Sequence, residues 1–181
     1  MYNTDDSGIR IAGVISDSIV DGPGLRLSIF VQGCPHNCEG CHNPETHDFN
    51  GGVVFDTENF SFKVLDELRR NPILAGVTFS GGEPIEQTPA LLKIARAVVD
   101  MGKDVVIFTG YTYEQLLEKS KEHPEILELL SLCVLLIDGR FVLAERSLTL
   151  KFRGSTNQRL IDPKKSLETG ETVLWKSKFD M

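Results

Sequence analysis

The sequence predicts an α/β fold in which a mostly parallel sheet curls into an open, partial (β/α) barrel. Three observations carry this. Apolar runs of strand length alternate with segments of helical period, an unusual polar motif follows each run, and 181 residues fall short of the about 250 of a complete barrel.

In chain order, Leu25, Leu27, Ile29 and Val31 alternate with Arg26, Ser28, Phe30 and Gln32, the period-two pattern of a strand ending at Gly33. Val64, Leu65 and Leu68 recur at helical spacing, and Ile73 to Phe79 is the second strand. A helix follows, with Thr88 as its cap, Pro89 at its first position, Leu91, Leu92, Ala95, Val98 and Val99 on one face, and Gly102 as its stop. Val105 to Phe108 is the third strand. Thr112 and Gln115 suit a capping box, Pro124 restarts a short helix carrying Ile126, Leu127 and Leu130, and Val134 to Ile137 is the fourth strand. Strands separated by helices run parallel, because a parallel neighbour needs a long crossover. The cysteine loop after the first strand, Ser80-Gly-Gly-Glu-Pro84 after the second, Thr109-Gly-Tyr111 after the third and Asp138-Gly-Arg140 after the fourth then share one face. That is the face on which (β/α) barrels build their sites.

Composition narrows the function. A hydrophobic content of 41% supports a buried core, and the absence of a repeat or linker points to one domain over residues 1–181. No apolar stretch is long enough to span a bilayer. A formal net charge of -7 disfavours a nucleic-acid partner and favours a protein or small molecule. The opening Met1-Tyr-Asn-Thr-Asp-Asp6 lacks the basic and apolar regions of a secretory signal, so a reducing cytoplasm is expected.

The cysteines carry the chemistry. Cys34, Cys38 and Cys41 offer three thiolates to one centre, while Cys133 lies far off in an apolar run. A structural zinc wants four protein ligands, whereas a 4Fe-4S cluster held by three cysteines keeps one iron open. Zinc completed by His36, His42 or His47 is the alternative within these residues. In Ser80-Gly-Gly-Glu-Pro84, two glycines permit close ligand approach, and backbone carbonyls and Glu83 can accept from an ammonium group. By itself such a run is a common turn.

The Cys-x3-Cys-x2-Cys loop followed by this turn resembles the radical S-adenosylmethionine (SAM) family. Asp21-Gly-Pro-Gly24, Cys41-His-Asn-Pro44, Phe108-Thr-Gly-Tyr111, Leu136-Ile-Asp-Gly-Arg140 and Arg153-Gly-Ser-Thr-Asn-Gln-Arg159 narrow the resemblance to the activating enzymes of anaerobic (class III) ribonucleotide reductase. The resemblance implies a radical SAM barrel and an oxidoreductase activity. Cys34, Cys38 and Cys41 would bind a 4Fe-4S cluster whose open iron takes SAM. Gly40, Cys41 and His42 would flank adenine, and Ser80, Gly81, Gly82, Glu83 and Pro84 would receive the methionyl amine. Reduction of the sulfonium would yield a 5'-deoxyadenosyl radical that takes hydrogen from a glycine of the reductase. A low-potential donor such as flavodoxin is implied, since reducing a sulfonium calls for the low end of cluster potentials. Gly40 departs from the broader family, where a bulky residue often precedes the last cysteine, so adenine packing must come from elsewhere.

Further candidates are Thr109 and Asp138 for a ribose or cation contact, and Arg153, Asn157 and Arg159 for the SAM carboxylate or the glycyl loop. Strand-end turns and solvated arginines account for the same residues. Cys133 reads as a core residue, His123 as a helix boundary, and His36, His42 and His47 as exposed loop positions, with tuning of the cluster by hydrogen bonds as their alternative role. Asp21-Gly-Pro-Gly24 reads as a turn, with partner contact as a second role; the acidic N-terminal tail and Val173-Leu-Trp175 are candidate interface segments. Rival functions are a pyruvate formate-lyase-type activase, a deazaguanine synthase-like radical SAM enzyme, and a zinc-binding interaction module.

Overall fold

The computed structural model describes residues 5–177, so the first four residues of the acidic tail lie outside it. In chain order the elements are β1 (Gly8–Ser18), β2 (Leu25–Val31), β3 (Val53–Asp56), α1 (Thr57–Arg70), β4 (Leu74–Gly81), α2 (Thr88–Asp100), β5 (Asp104–Phe108), α3 (Tyr113–Lys119), α4 (Glu125–Leu132), β6 (Cys133–Asp138), β7 (Arg159–Ile161) and α5 (Pro163–Thr169). All seven strands form one sheet in the order β3-β1-β2-β4-β5-β6-β7. The four anticipated strands are its parallel centre, since β2 pairs with β4, β4 with β5, and β5 with β6 in parallel register. Three strands were not anticipated: β1, β3 and β7 add antiparallel flanks, and β3 and β7 are the outermost strands of a mixed sheet.

Local chemistry accounts for the helix ends. Asp56 caps α1 by accepting from Asn59 N at 2.8 Å, and Thr112 with Gln115 forms the expected capping box on α3. At α2 the expectation for Thr88 fails. Its hydroxyl donates to Ile85 O at 2.8 Å, because the preceding 3-10 turn at Pro84–Gln87 presents that carbonyl, and Gln87 takes the cap position without a side-chain bond. Gly102 ends the helix with φ 75°, a conformation glycine adopts without a Cβ penalty.

The helices cover one face. Leu27, Ile29 and Val31 of β2, Val77 and Phe79 of β4, and Val105 and Ile107 of β5 are buried in the main core with Phe60, Val64 and Leu68 of α1 and Leu91, Ile94, Ala95 and Val98 of α2. Cys133 belongs to this core; its thiol donates to Leu135 O at 3.0 Å, and burial pushes its pKa up to about 12. A smaller cluster of Val106, Leu135 and Ile137 packs with Phe152, Leu160 and Trp175. Val173-Leu-Trp175 is thereby docked on β7, with Trp175 N bonded to Leu160 O at 2.9 Å. No helix among the described residues is long and apolar enough to cross a membrane.

Arg26 is charged yet wholly buried, donating to Thr78 Oγ1 at 2.7 Å and Val77 O at 2.6 Å and pairing with Asp104 at 2.7 Å. Nearby, Asp21 accepts from Ser28 Oγ at 2.8 Å, and Thr78 Oγ1 donates to Asp21 O at 2.7 Å. The Asp21-Gly-Pro-Gly24 turn is therefore tied to the sheet through β2 and β4.

Candidate iron-sulfur site

Because β2, β4, β5 and β6 run in one direction, their carboxyl ends meet along one edge, and a cleft of about 870 Å³ opens there. The cysteine loop is sewn to this edge. Gly33 N donates to Thr46 O at 2.8 Å and Cys34 N to His47 O at 3.2 Å; Glu83 N donates to Gly33 O and Gly82 N to Val31 O, each at 2.8 Å. Neither glycine of the turn tolerates a side chain: a Cβ on Gly81 would lie 2.7 Å from Phe30 Cα, and one on Gly82 would lie 2.4 Å from Gly33 O. The glycine pair lets the end of β4 press against the end of β2 and the start of the cysteine loop.

Cys34, Cys38 and Cys41 are free, half-buried thiols lining this one cleft. Burial raises Cys34 to about 11 and also raises Cys38, so neither holds a thiolate without positive charge beside it. A donor already aims at one of the sulfurs, Asn43 N lying 3.4 Å from Cys41 Sγ. Three soft donors, an N–H group for sulfur and an open volume beside them fit an iron-sulfur cluster. Among the described residues no three His, Cys, Asp or Glu side chains gather tightly enough for a single metal ion, whereas a cubane takes its cysteines on different irons.

Of the other candidates, His42, Ser80, Gly81, Gly82, Thr109 and Arg153 line the cleft with the cysteines. Arg153 Nη1 donates to Gln158 O at 2.9 Å, while its Nε is buried without a hydrogen-bond partner among the described residues. Gly40, Glu83, Pro84, Asp138, Asn157 and Arg159 do not line it. Gly40 is exposed with φ 70°, and Asn157 Nδ2 donates to Arg140 O at 2.9 Å. Asp138, 1% exposed, accepts from Arg159 Nε at 3.0 Å and Tyr113 N at 2.8 Å; Arg159 also pairs with Glu114 at 2.7 Å. This network joins β6, β7 and α3.

Glu83 differs most from its sequence reading. Its carboxylate is fully buried and already engaged, with Oε1 accepting from Ile85 N at 3.0 Å and Thr109 Oγ1 at 2.8 Å. Oε2 accepts from Gly110 N at 2.8 Å and lies 2.7 Å from His36 Nε2. His36, expected as an exposed loop residue, is buried, its ring edge-on to Tyr111 at 4.5 Å. Spacing alone carries no signal for this pair, which is 47 residues apart. His42 is exposed, its ring 5.1 Å from that of Phe141, and His47 is half-buried with Nδ1 3.1 Å from Asn37 Oδ1.

Comparison with known proteins agrees with this chemistry. A family described as a 4Fe-4S single cluster domain matches residues 20–161. The anaerobic ribonucleoside-triphosphate reductase-activating protein of Escherichia coli (strain K12) is 34% identical over 145 residues, covering 77% of this chain and 90% of the relative. The Haemophilus influenzae protein of the same name is 32% identical over 147 residues, covering 77% and 89%. That of Enterobacteria phage T4 is 35% identical over 148 residues, covering 78% and 86%. A cysteine cleft suited to a cluster, and a likeness that runs from β2 to β7, place the chain in the 4Fe-4S single cluster domain family, among the anaerobic ribonucleoside-triphosphate reductase-activating proteins.

Proposed function

We propose that the protein is a radical SAM activase, one domain over residues 1–181 built as a partial barrel, that generates a glycyl radical on anaerobic ribonucleotide reductase. The observation that carries this reading is a cleft of about 870 Å³ lined by both the three cysteines and the glycine turn. Cleft volumes of a few hundred to about 1,000 Å³ suit a nucleoside-sized ligand. When bound, a reduced 4Fe-4S cluster supplies the electron that cleaves the carbon–sulfur bond of SAM. The protein's own work is to hold, aim and shield.

Cys34, Cys38 and Cys41 hold the cluster and leave one iron for the amino and carboxylate groups of SAM. Because Glu83 is engaged internally, the methionyl amine falls to the backbone carbonyls of Ser80, Gly81 and Gly82 on the cleft wall. A role for Arg153 toward the carboxylate is supported by its place in the cleft lining and by its Nε, buried without a hydrogen-bond partner among the described residues. The backbones from Gly40 to His42 flank adenine. Ile15, Ile19 and Val20, 50%, 74% and 69% exposed, rim the cleft with apolar surface that suits an incoming polypeptide. A low-potential donor such as flavodoxin and a cytoplasmic location complete the reading.

Anaerobic reconstitution with iron, sulfide, SAM and a reductant tests it. The wild type is expected to release 5'-deoxyadenosine, and to give a glycyl-radical signal when the reductase is added. Replacing Cys34, Cys38 or Cys41 by Ala is expected to abolish both. Undiminished 5'-deoxyadenosine from these variants refutes the reading.

A further inference from the structure

We infer that Glu83 is a positioning residue for the cysteine loop, acting through His36, rather than an acceptor for the ligand's amine; the inference rests on the iron-sulfur reading above. A carboxylate offers about four acceptor positions. Four internal donors occupy them: Ile85 N, Thr109 Oγ1, Gly110 N and the His36 ring. The side chain has no exposed surface and does not line the cleft. An arriving ammonium would have to displace one of these donors in a dry site, where an orphaned polar group is costly.

Those donors come from three separate segments. Ile85 belongs to the turn after β4, Thr109 and Gly110 follow β5, and His36 sits between Cys34 and Cys38. Glu83 therefore ties the loop that carries two cluster cysteines to the ends of two strands. The ring is held sterically as well. A Cβ on Gly110 would lie 2.3 Å from His36 Cδ2, so only glycine lets the β5 end pack there, and the Tyr111 ring meets the histidine at 4.5 Å. His36 also lies two positions after Cys34, so ring and ligand share one short stretch of the loop. Finally, His36 lines the cleft and its Nδ1 is buried without a hydrogen-bond partner among the described residues. With Nε2 committed to Glu83, Nδ1 is the ring nitrogen left for what fills the cleft, and Glu83 orients it as carboxylates orient histidines beside metal centres.

The test compares wild type, Glu83→Gln, His36→Leu, His36→Gln and the double variant Glu83→Gln/His36→Leu after anaerobic reconstitution. Iron content, the EPR spectrum of the reduced cluster without SAM, its midpoint potential and SAM affinity are measured. Glu83→Gln replaces an acceptor with a donor opposite Gly110 N, and His36→Leu removes the ring donor. Both are expected to shift the SAM-free spectrum and potential in the same sense, or to lose cluster together. The double variant should go no further than the stronger single one, because coupled residues are not additive. His36→Gln, which can still donate to Glu83, should stay with the wild type. The inference is overturned if Glu83→Gln leaves the SAM-free spectrum and potential unchanged and weakens SAM binding alone, or if the two single effects add. A wild type that assembles no 4Fe-4S cluster overturns the functional reading itself, before any variant is compared.

Discussion

Replacing Arg26 by Met tests whether the buried guanidinium holds the floor of the sheet. Met keeps much of the stem's volume, so the change removes donors rather than opening a large void. Four internal acceptors lose a donor: Thr78 Oγ1 at 2.7 Å, Val77 O at 2.6 Å, Pro23 O at 3.1 Å and Asp104 O at 3.4 Å. Leaving a buried acceptor unsatisfied costs about 1–3 kcal/mol; Thr78 Oγ1 keeps its bond to Asp21 O and the Asp104 O contact is long, so Val77 O and Pro23 O dominate. The pair with Asp104 adds to this, because its Oδ1 is buried with no other hydrogen-bond partner among the described residues, although the carboxylate as a whole is 38% exposed. The sum is roughly 3–5 kcal/mol, which for a domain of this size lowers Tm by about 10 °C. Thermal unfolding followed by circular dichroism under anaerobic conditions measures it. Arg26 touches none of the cysteines, so iron content per folded molecule should be unchanged. A Tm within about 2 °C of wild type would refute the assignment of Arg26 as a structural brace.

Two further outcomes follow from other contacts. Hydrogen bonds from Arg159 hold the Glu114 carboxyl at about 2 instead of 4.5, so this contact stabilises the fold fully above pH 4.5 and is lost as pH falls toward 2. Glu114→Gln should therefore flatten the acid limb of a plot of unfolding stability against pH, with a small effect because Glu114 is 54% exposed; an unchanged acid limb removes the contribution. At the cleft rim, Ile19→Asp with Val20→Asp should lower the glycyl-radical yield on the reductase by about tenfold or more, since burying each side chain is worth about 1.5–3 kcal/mol. The yield should fall further than uncoupled SAM cleavage does, and equal losses in both assays would remove the rim from partner binding.

Where information is local, the chain declares itself. The cysteine triplet is a matter of spacing, the four central strands show period-two or continuous apolar runs, and the Thr112–Gln115 box needs only three residues of separation. The flanks were less legible. β3 and β7 span four and three residues, too short for a period to emerge, and half of β1 carries exposed residues such as Val14 and Ile15 without alternation. Thr88 illustrates a competing turn: a residue with the chemistry of a cap was captured by the carbonyl of Ile85.

Residue types and short-range order were enough to single out the three cysteines that share one cleft and the parallel centre of the sheet, because residue spacing and hydrophobic period act within a few positions of the chain. They could not assign the polar side chains. The motif makes Glu83 a ligand contact and the loop makes His36 an exposed residue, yet each is buried, against partners 26 and 47 residues away, and the buried Arg26 reaches Asp104, 78 residues away. A carboxylate's role depends on which donors reach it once water is excluded, and that is set by how strands and loops meet in space.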